Sequence, residues 1–433
     1  LAVVVVVGAQ SVTTMAIATF PRRPAGRRLG ALWSGVVLPL VVLPLAGAFV
    51  VVQNHHQLTK AHPSAGAAVA HRSQSQGGGT PLGGGRSRPS RRRRRPRVLE
   101  STSNPLDAIG AFLEERAAPP AEDALPAGPL SVVITGGANG VGYAYADEFL
   151  KRGHKVAICD VRAPDEAVAA LRAKHATSGA TPAVFGAVCD VGDAASVRAF
   201  GAAAQQELGG RIDLWVNNAA INGGRRPFLE VPDETIEAVV RVNLFGVLIC
   251  TKVAMELMLR QDARGGAPPG KIFNTVGSGV RGGGTPGYVT YGAAKRGLPQ
   301  MTDSLVAELA GKTQGYAWPP ADLRTGGGVA LHTLSPGMVF TDLLLKDSTP
   351  ELRKFPFSVL AATPEQVAAD LVPKMLAVDG TGQFVEYLTT EKTLSKFFNR
   401  FVRQQKSDII DDDGNVIRKD EFDYNDDGVR MLY

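Results

Sequence analysis

From residue 130 onward, short apolar runs alternate with longer stretches whose apolar positions recur every three or four residues. The runs are LSVVIT (130–135), KVAICD (155–160), AVFGAVCD (183–190), RIDLWVN (211–217), GKIFNTV (270–276), VALHTLS (329–335) and QFVEYL (383–388). They are rich in β-branched residues and mostly apolar on both faces, the pattern of strands buried inside a parallel sheet. Between them lie stretches of helical length and period, such as VGYAYADEFLKRG and DAASVRAFGAAAQQELG. Strand and helix alternating in this way predict an α/β fold: a Rossmann-type, doubly wound, parallel seven-stranded sheet with helices on both faces.

The first 130 residues break this pattern. Residues 1–99 contain no Asp or Glu and carry fourteen of the 47 Lys and Arg. The remainder therefore sets 33 basic residues against 41 acids, a net of −8, so the overall charge of +6 belongs to the leader. The run RRRRR at 91–95 gives no reason to read the body as nucleic-acid binding. An acid-free, Arg- and Ser-bearing leader has the composition of an organelle transit peptide. Within it, 29–52 is uncharged and long enough to span a bilayer; the alternative is the apolar part of a cleaved signal. Residues 53–128 are rich in Gly, Ser, Pro, Ala and Arg and read as linker. The expected organisation is leader 1–99, linker 100–128, catalytic domain 129–400 and polar tail 401–433.

Cys159, Cys189 and Cys250 each follow an apolar run at no close spacing, which predicts buried free thiols rather than a disulfide framework or a zinc site. The seven histidines form no metal-binding cluster, so no metal is expected. In the tail, Asp423, Asn425, Asp427 and Gly428 imitate the start of a calcium loop, but the chain given ends before the position of its bidentate glutamate.

Chemistry concentrates at the ends of the predicted strands. The first runs into TGGANGVG, Thr135 to Gly142, and a helix follows. Gly136, Gly140 and Gly142 permit a tight turn and a close backbone approach to a pyrophosphate, flanked by Thr135, Asn139 and Val141. Asp160, closing the second strand, can accept hydrogen bonds from adenosine ribose hydroxyls, which favours NADH; Arg162 supplies the one nearby cation for the 2′-phosphate of NADPH. Asp190 and Val191 end the third strand at the expected adenine edge, and Asn217 and Ala219 end the fourth. A helix starting near Tyr288 puts Tyr291 and Lys295 on one face, one turn apart. The fifth strand delivers Ser278 to the same crevice. An ammonium beside the phenol is expected to lower its pKa from about 10.

TGGANGVG, NNAA, Asn243 in VNLFG, Ser278, YGAAK and SPGMVFT together resemble the short-chain dehydrogenase/reductases over roughly 128–390. The resemblance implies that Tyr291 exchanges a proton with the substrate oxygen and Ser278 hydrogen-bonds that oxygen. It implies that Lys295 tunes Tyr291 and holds the ribose, and that Asn243 anchors a water relay. It also implies that Pro336 and Gly337 turn the chain, that Thr341 bonds the nicotinamide carboxamide, and that helices such as 288–311 pair subunits in a homo-oligomer. A narrower similarity, from about 277 to 400, is to the plant and algal chlorophyll b reductases, through GSGVRGGGTPGYVTYGAAKRGL, SPGMVFTDLLL, EQVAADLVPKM and FVEYLTTEKTLSKFF. It implies reduction of the 7-formyl group of a tetrapyrrole pigment, chlorophyll b, to 7-hydroxymethyl chlorophyll a, in the chloroplast at the thylakoid membrane or its stromal face. That family is associated with NADPH, against the NADH reading of Asp160, and the choice stays open. The apolar segment 335–366 reads either as a lid over a large hydrophobic substrate or as packed helices. Two rivals remain: a reductase of another hydrophobic carbonyl (steroid, retinoid or acyl thioester), and a non-catalytic nucleotide-fold binding protein.

Overall fold

The computed structural model describes residues 105–417 apart from 122–124, 126–127, 177–181, 262–268, 278–279, 324–327, 346–347 and 408. The leader with its candidate span, Ser278 and the calcium-like residues of the tail lie outside the described residues.

Seven strands form one sheet: β1 (Ser131–Thr135), β2 (Lys155–Asp160), β3 (Val184–Val188), β4 (Leu214–Asn217), β5 (Gly270–Thr275), β6 (Val329–Ser335) and β7 (Phe384–Glu386). Their order is β3-β2-β1-β4-β5-β6-β7, and every pairing is parallel. The order reverses direction between β1, paired to β2 through Ser131 and Lys155, and β4, paired to β1 through Val132 and Leu214. A crevice opens at such a reversal, outside the carboxyl ends of the strands.

The helices are α1 (Pro105–Ala117), α2 (Gly140–Lys151), α3 (Asp165–His175), α4 (Ala194–Glu207), α5 (Asp233–Val240), α6 (Val247–Leu259) and α7 (Val289–Leu309). After β6 come three short turns, α8 (Asp342–Leu345), α9 (Pro350–Leu352) and α10 (Ser358–Leu360), then α11 (Pro364–Ala377) and α12 (Thr390–Phe401). A π-helical turn over Arg241–Gly246 joins α5 to α6. Alternate strand residues feed two cores, which is why the sequence runs are apolar throughout. Val132, Ile134, Val156, Ile158 and Phe273 pack with α2 and α11. Val133, Ala157, Trp215, Ile272 and Leu331 pack with α4 and α6. All three cysteines are free and buried, in this second layer.

Local signals start the helices. Asp193 caps α4 by accepting from Ala195 N and Ser196 N, Thr363 and Gln366 form a capping box on α11, and Thr389 caps α12.

The structure corrects two boundaries. Residues 105–117, expected within a linker, form α1 and pack on α12: Glu114 pairs with Arg403 at 2.6 Å, and Gly110 lies against Phe398. The expected polar tail begins inside α12, and 409–417 close a small hairpin through the Ile410–Val416 bridge. Ile410, 2 % exposed, packs with Phe340 and Leu345. The two isoleucines in an otherwise acidic stretch carry that docking. The segment after β6 divides its faces: Leu345 and Val359 turn inward, while Leu343 and Phe355 stay exposed.

Candidate active site

A cavity of about 400 Å³ opens at the carboxyl edge of β1, β2 and β4. Its floor is the glycine turn, where Gly136, Asn139, Gly140 and Val141 form the wall. Gly136 and Gly140 have φ of +64° and +56°, and a Cβ on Gly136 would stand 2.8 Å from the Ala219 backbone. Gly142 lies one layer below: a Cβ there would come within 2.1 Å of Gly136 O. Only glycine permits this approach of helix start to turn. Asn139 caps α2, accepting from Gly140 N. Asp160, Arg162, Asp190 and Val191 line one end of the cavity. Asp160 Oδ1 accepts from Arg162 N at 3.4 Å, and Asp190 Oδ1 from Gly192 N at 2.8 Å. Ala219 and Thr341 line the other walls. A glycine floor, a helix N-terminus and a polar far end fit a dinucleotide: pyrophosphate on the turn, adenosine toward Asp160.

Besides Gly142, six expected cofactor residues do not line this cavity: Thr135, Asn217, Pro336, Gly337, Tyr291 and Lys295. Thr135 is 2 % exposed, and its hydroxyl accepts from Asn218 N and Ala219 N, so it braces β4 against β1. Asn217 is equally buried. Its amide accepts from Trp215 Nε1 at 2.8 Å and donates to Thr251 and Asn274, so the side chain is bonded inside the core. Pro336 and Gly337 turn the chain, Gly337 against Leu388 and Tyr387, off the cavity wall. Conversely, Asn218 lines the cavity and donates to Thr135 O and Gly136 O, holding the glycine turn. Strand alternation was the signal: if Asn217 faces the core, its neighbour faces away. Ile221, Val242, Cys189, Phe340 and Leu343 also line the cavity; Val242, Phe340 and Leu343 lie inside quoted motifs but, being apolar, were not singled out as site residues.

Tyr291 sits in the first turn of α7, at the same edge of the sheet. A Cβ on Gly277 would stand 2.1 Å from its hydroxyl, so the phenol packs directly on the chain leaving β5, one residue before Ser278. Lys295, 1 % exposed, donates from Nζ to Thr275 O at 2.9 Å and lies 5.9 Å from the Tyr291 ring centroid. The helical spacing does bring tyrosine and lysine together. Burial works against the expected acidification of the phenol by the ammonium and a positive nicotinamide. Burial pushes the Tyr291 phenol up to about 12 and the Lys295 ammonium down to about 8. Loss of water is the cause of both shifts. The phenol therefore keeps its proton near neutrality.

Asn243 is fully buried in the π-turn, and its side chain takes both backbone groups of Ile221: Oδ1 accepts from Ile221 N at 3.0 Å and Nδ2 donates to Ile221 O at 2.6 Å. It clamps the loop after β4.

The short chain dehydrogenase family profile matches residues 131–349. The chain is 38 % identical over 277 residues to the Arabidopsis thaliana protein named chlorophyll(ide) b reductase NOL, chloroplastic, covering 63 % of this chain and 74 % of that one. It is 37 % identical over 280 residues to the Oryza sativa subsp. japonica protein of the same name, covering 63 % and 75 %. Over 315 residues it is 37 % identical to the Arabidopsis thaliana protein named probable chlorophyll(ide) b reductase NYC1, covering 70 % of this chain and 59 % of that one, so it spans about three-fifths of that relative. The sheet order, the glycine-floored cavity, the Tyr291–Lys295 pair and these matches agree: the chain belongs to the short chain dehydrogenase family and is an oxidoreductase that uses a nicotinamide dinucleotide.

Proposed function

We propose that this enzyme reduces the 7-formyl group of chlorophyll b, or of the corresponding chlorophyllide, to the 7-hydroxymethyl product. The observation that carries this reading is the pairing of a protonated, buried Tyr291 with Lys295 against the end of β5, beside a cavity that fits a dinucleotide. The pigment follows from the similarity to the chlorophyll(ide) b reductases named above.

A reduced nicotinamide bound in this cavity would supply the hydride that the formyl carbon needs. The chain's own residues handle the oxygen. A phenol whose pKa burial raises to about 12 still carries its proton at neutral pH, so Tyr291 has a proton to give as charge builds on the formyl oxygen. The Lys295 ammonium stands near the ring, where it opposes the charge left on the phenolate. Ser278 serves as the second hydrogen-bond donor to the carbonyl oxygen. Asn243 acts by holding Ile221 and anchors the water relay. Gly136, Asn139, Gly140 and Val141 hold the pyrophosphate, and Thr341 meets the carboxamide end.

Two carboxylates, Asp160 and Asp190, against one guanidinium, Arg162, favour NADH over NADPH at the adenosine end. We place the enzyme in the chloroplast, at the thylakoid membrane or its stromal face, on the leader composition and the relatives' names. The exposed apolar residues Val240, Phe245, Leu248 and Val289 on α5–α7 favour a homo-oligomer.

The test is the full chain with chlorophyllide b or chlorophyll b and each reduced dinucleotide, followed by the pigment's absorption spectrum. A shift to the hydroxymethyl product, lost in Tyr291→Phe, is the expected result. An unchanged spectrum alongside turnover of another hydrophobic carbonyl would overturn the pigment assignment.

A further inference from the structure

We propose that Asn222 is a positioning residue that fastens the segment after β6 across the mouth of the cavity and so sets how slowly the dinucleotide leaves. The proposal rests on the reading of that cavity as the nicotinamide dinucleotide site.

Two walls of the cavity come from distant parts of the chain. Ile221 belongs to the loop after β4, and Leu343 to the segment after β6; both line the cavity. One side chain joins them: Asn222 Nδ2 donates to Leu343 O, across 121 positions of sequence. The amide orientation is over-determined, because Asn222 Oδ1 accepts from Gly224 N at 2.9 Å, which turns the nitrogen toward the carbonyl.

The anchor on the loop side is rigid. Asn243, with no exposed surface, holds the N–H and the C=O of Ile221, the residue immediately before Asn222. The far side is supported from behind. Phe340 lines the cavity on one face and packs with Ile410 of the C-terminal hairpin on the other. Arg353 Nη2 donates to Ser348 O at 2.7 Å, tying the segment to itself. Leu343 stays 37 % exposed, so the front edge of the segment is not held by burial. A body supported behind and tethered in front by a side-chain hydrogen bond is a lid with a latch. With Ile221 and Leu343 both in the cavity wall, the tether between them spans the cavity that would hold a dinucleotide on the glycine turn.

The bond to Leu343 uses the donor of the amide, and the bond to Gly224 uses the acceptor. Asn222→Asp keeps the acceptor and loses the donor; Asn222→Ala loses both. Release of the reduced dinucleotide from the full chain is measured by stopped-flow displacement, following nicotinamide fluorescence. Both variants are expected to release it about tenfold faster than the wild type, the worth of one lost hydrogen bond, with little change in association rate. Trypsin should also cut within 342–357 faster in both dinucleotide-loaded variants than in the loaded wild type. Unchanged release in Asn222→Asp, or faster release confined to Asn222→Ala, would overturn the latch, since only the loop's own shape would then be at stake. Absence of any reduced-dinucleotide binding by the wild type would instead remove the site reading, and the latch with it.

Discussion

Lys295 should weaken the fold that it serves. A lysine titrates at 10.5 in the unfolded chain, but burial brings this one down to about 8. Below pH 8 both states carry the ammonium, and the fold bears the full cost of burying it. Between pH 8 and 10.5 the folded chain has released a proton that the unfolded chain still holds, so stability rises with pH. Above 10.5 the cost is gone. The difference in pKa corresponds to about 3 kcal/mol at neutral pH. Lys295→Met keeps the length of the side chain and removes the charge. It also strips Thr275 O of a hydrogen-bond donor, a loss of about 1 kcal/mol. The variant should therefore be more stable than the wild type by about 2 kcal/mol at pH 7, with the gap closing toward pH 9.5. Its reduction rate should fall by about a hundredfold or more. Urea unfolding of both proteins at pH 7 and 9.5, with carbonyl reduction at pH 7, tests this. A variant less stable than the wild type at pH 7, or a gap that ignores pH, would refute the claim that loss of water governs this site.

Asp160→Ser should raise the preference for NADPH over NADH, as a ratio of kcat/KM, by about tenfold, because a 2′-phosphate no longer faces a carboxylate; an unmoved ratio would mean that Asp160 does not face the ribose. Gly142→Ala should lower the melting temperature and abolish dinucleotide binding, since its Cβ would stand 2.1 Å from Gly136 O; retained binding in a titration would contradict the close packing. His332 is fully buried, stacked on Phe273 at 5.1 Å, with neither ring nitrogen bonded among the described residues. Burial brings its pKa from 6.5 down to about 4. Stability is therefore lost as pH falls from 6.5 toward 4, by about 3 kcal/mol. His332→Leu should lack that loss in urea unfolding at pH 7 and pH 4.5.

The sheet was legible because each strand is buried on both sides, and such strands announce themselves as apolar runs with sharp ends. KVAICD and VALHTLS match β2 and β6 residue for residue. RIDLWVN is three residues too long because Arg211 and Asp213 pair with each other before β4 begins. α1 was invisible within a stretch of linker-like composition, since what makes it a helix of this fold is its contact with α12, almost 300 residues away. Motif residues with a backbone reason, such as Gly136 and Gly142, were readable from chemistry alone. Motif residues with a bonding partner elsewhere were not. Asn217 and Thr135 look like ligand-facing polar groups until Trp215, Thr251 and the Asn218 and Ala219 amides after β4 are seen to bond them. The sign of the Tyr291 perturbation was likewise out of reach, because charge proximity can be guessed from spacing and burial cannot.

The widened turn at Arg241–Gly246 sets the phase of everything that follows it. A π-turn holds one residue more than the helix on either side, and each residue advances an α-helix by about 100°. Deleting a single residue there would restore a regular helix from Asp233 to Leu259 and rotate the two halves against each other by that angle. Asn243 could then not point inward while Val239 and Val253 both keep their places in the core. The irregular turn thus works as a phase shifter, letting one continuous rod serve the reaction crevice with its middle and the hydrophobic interior with both arms.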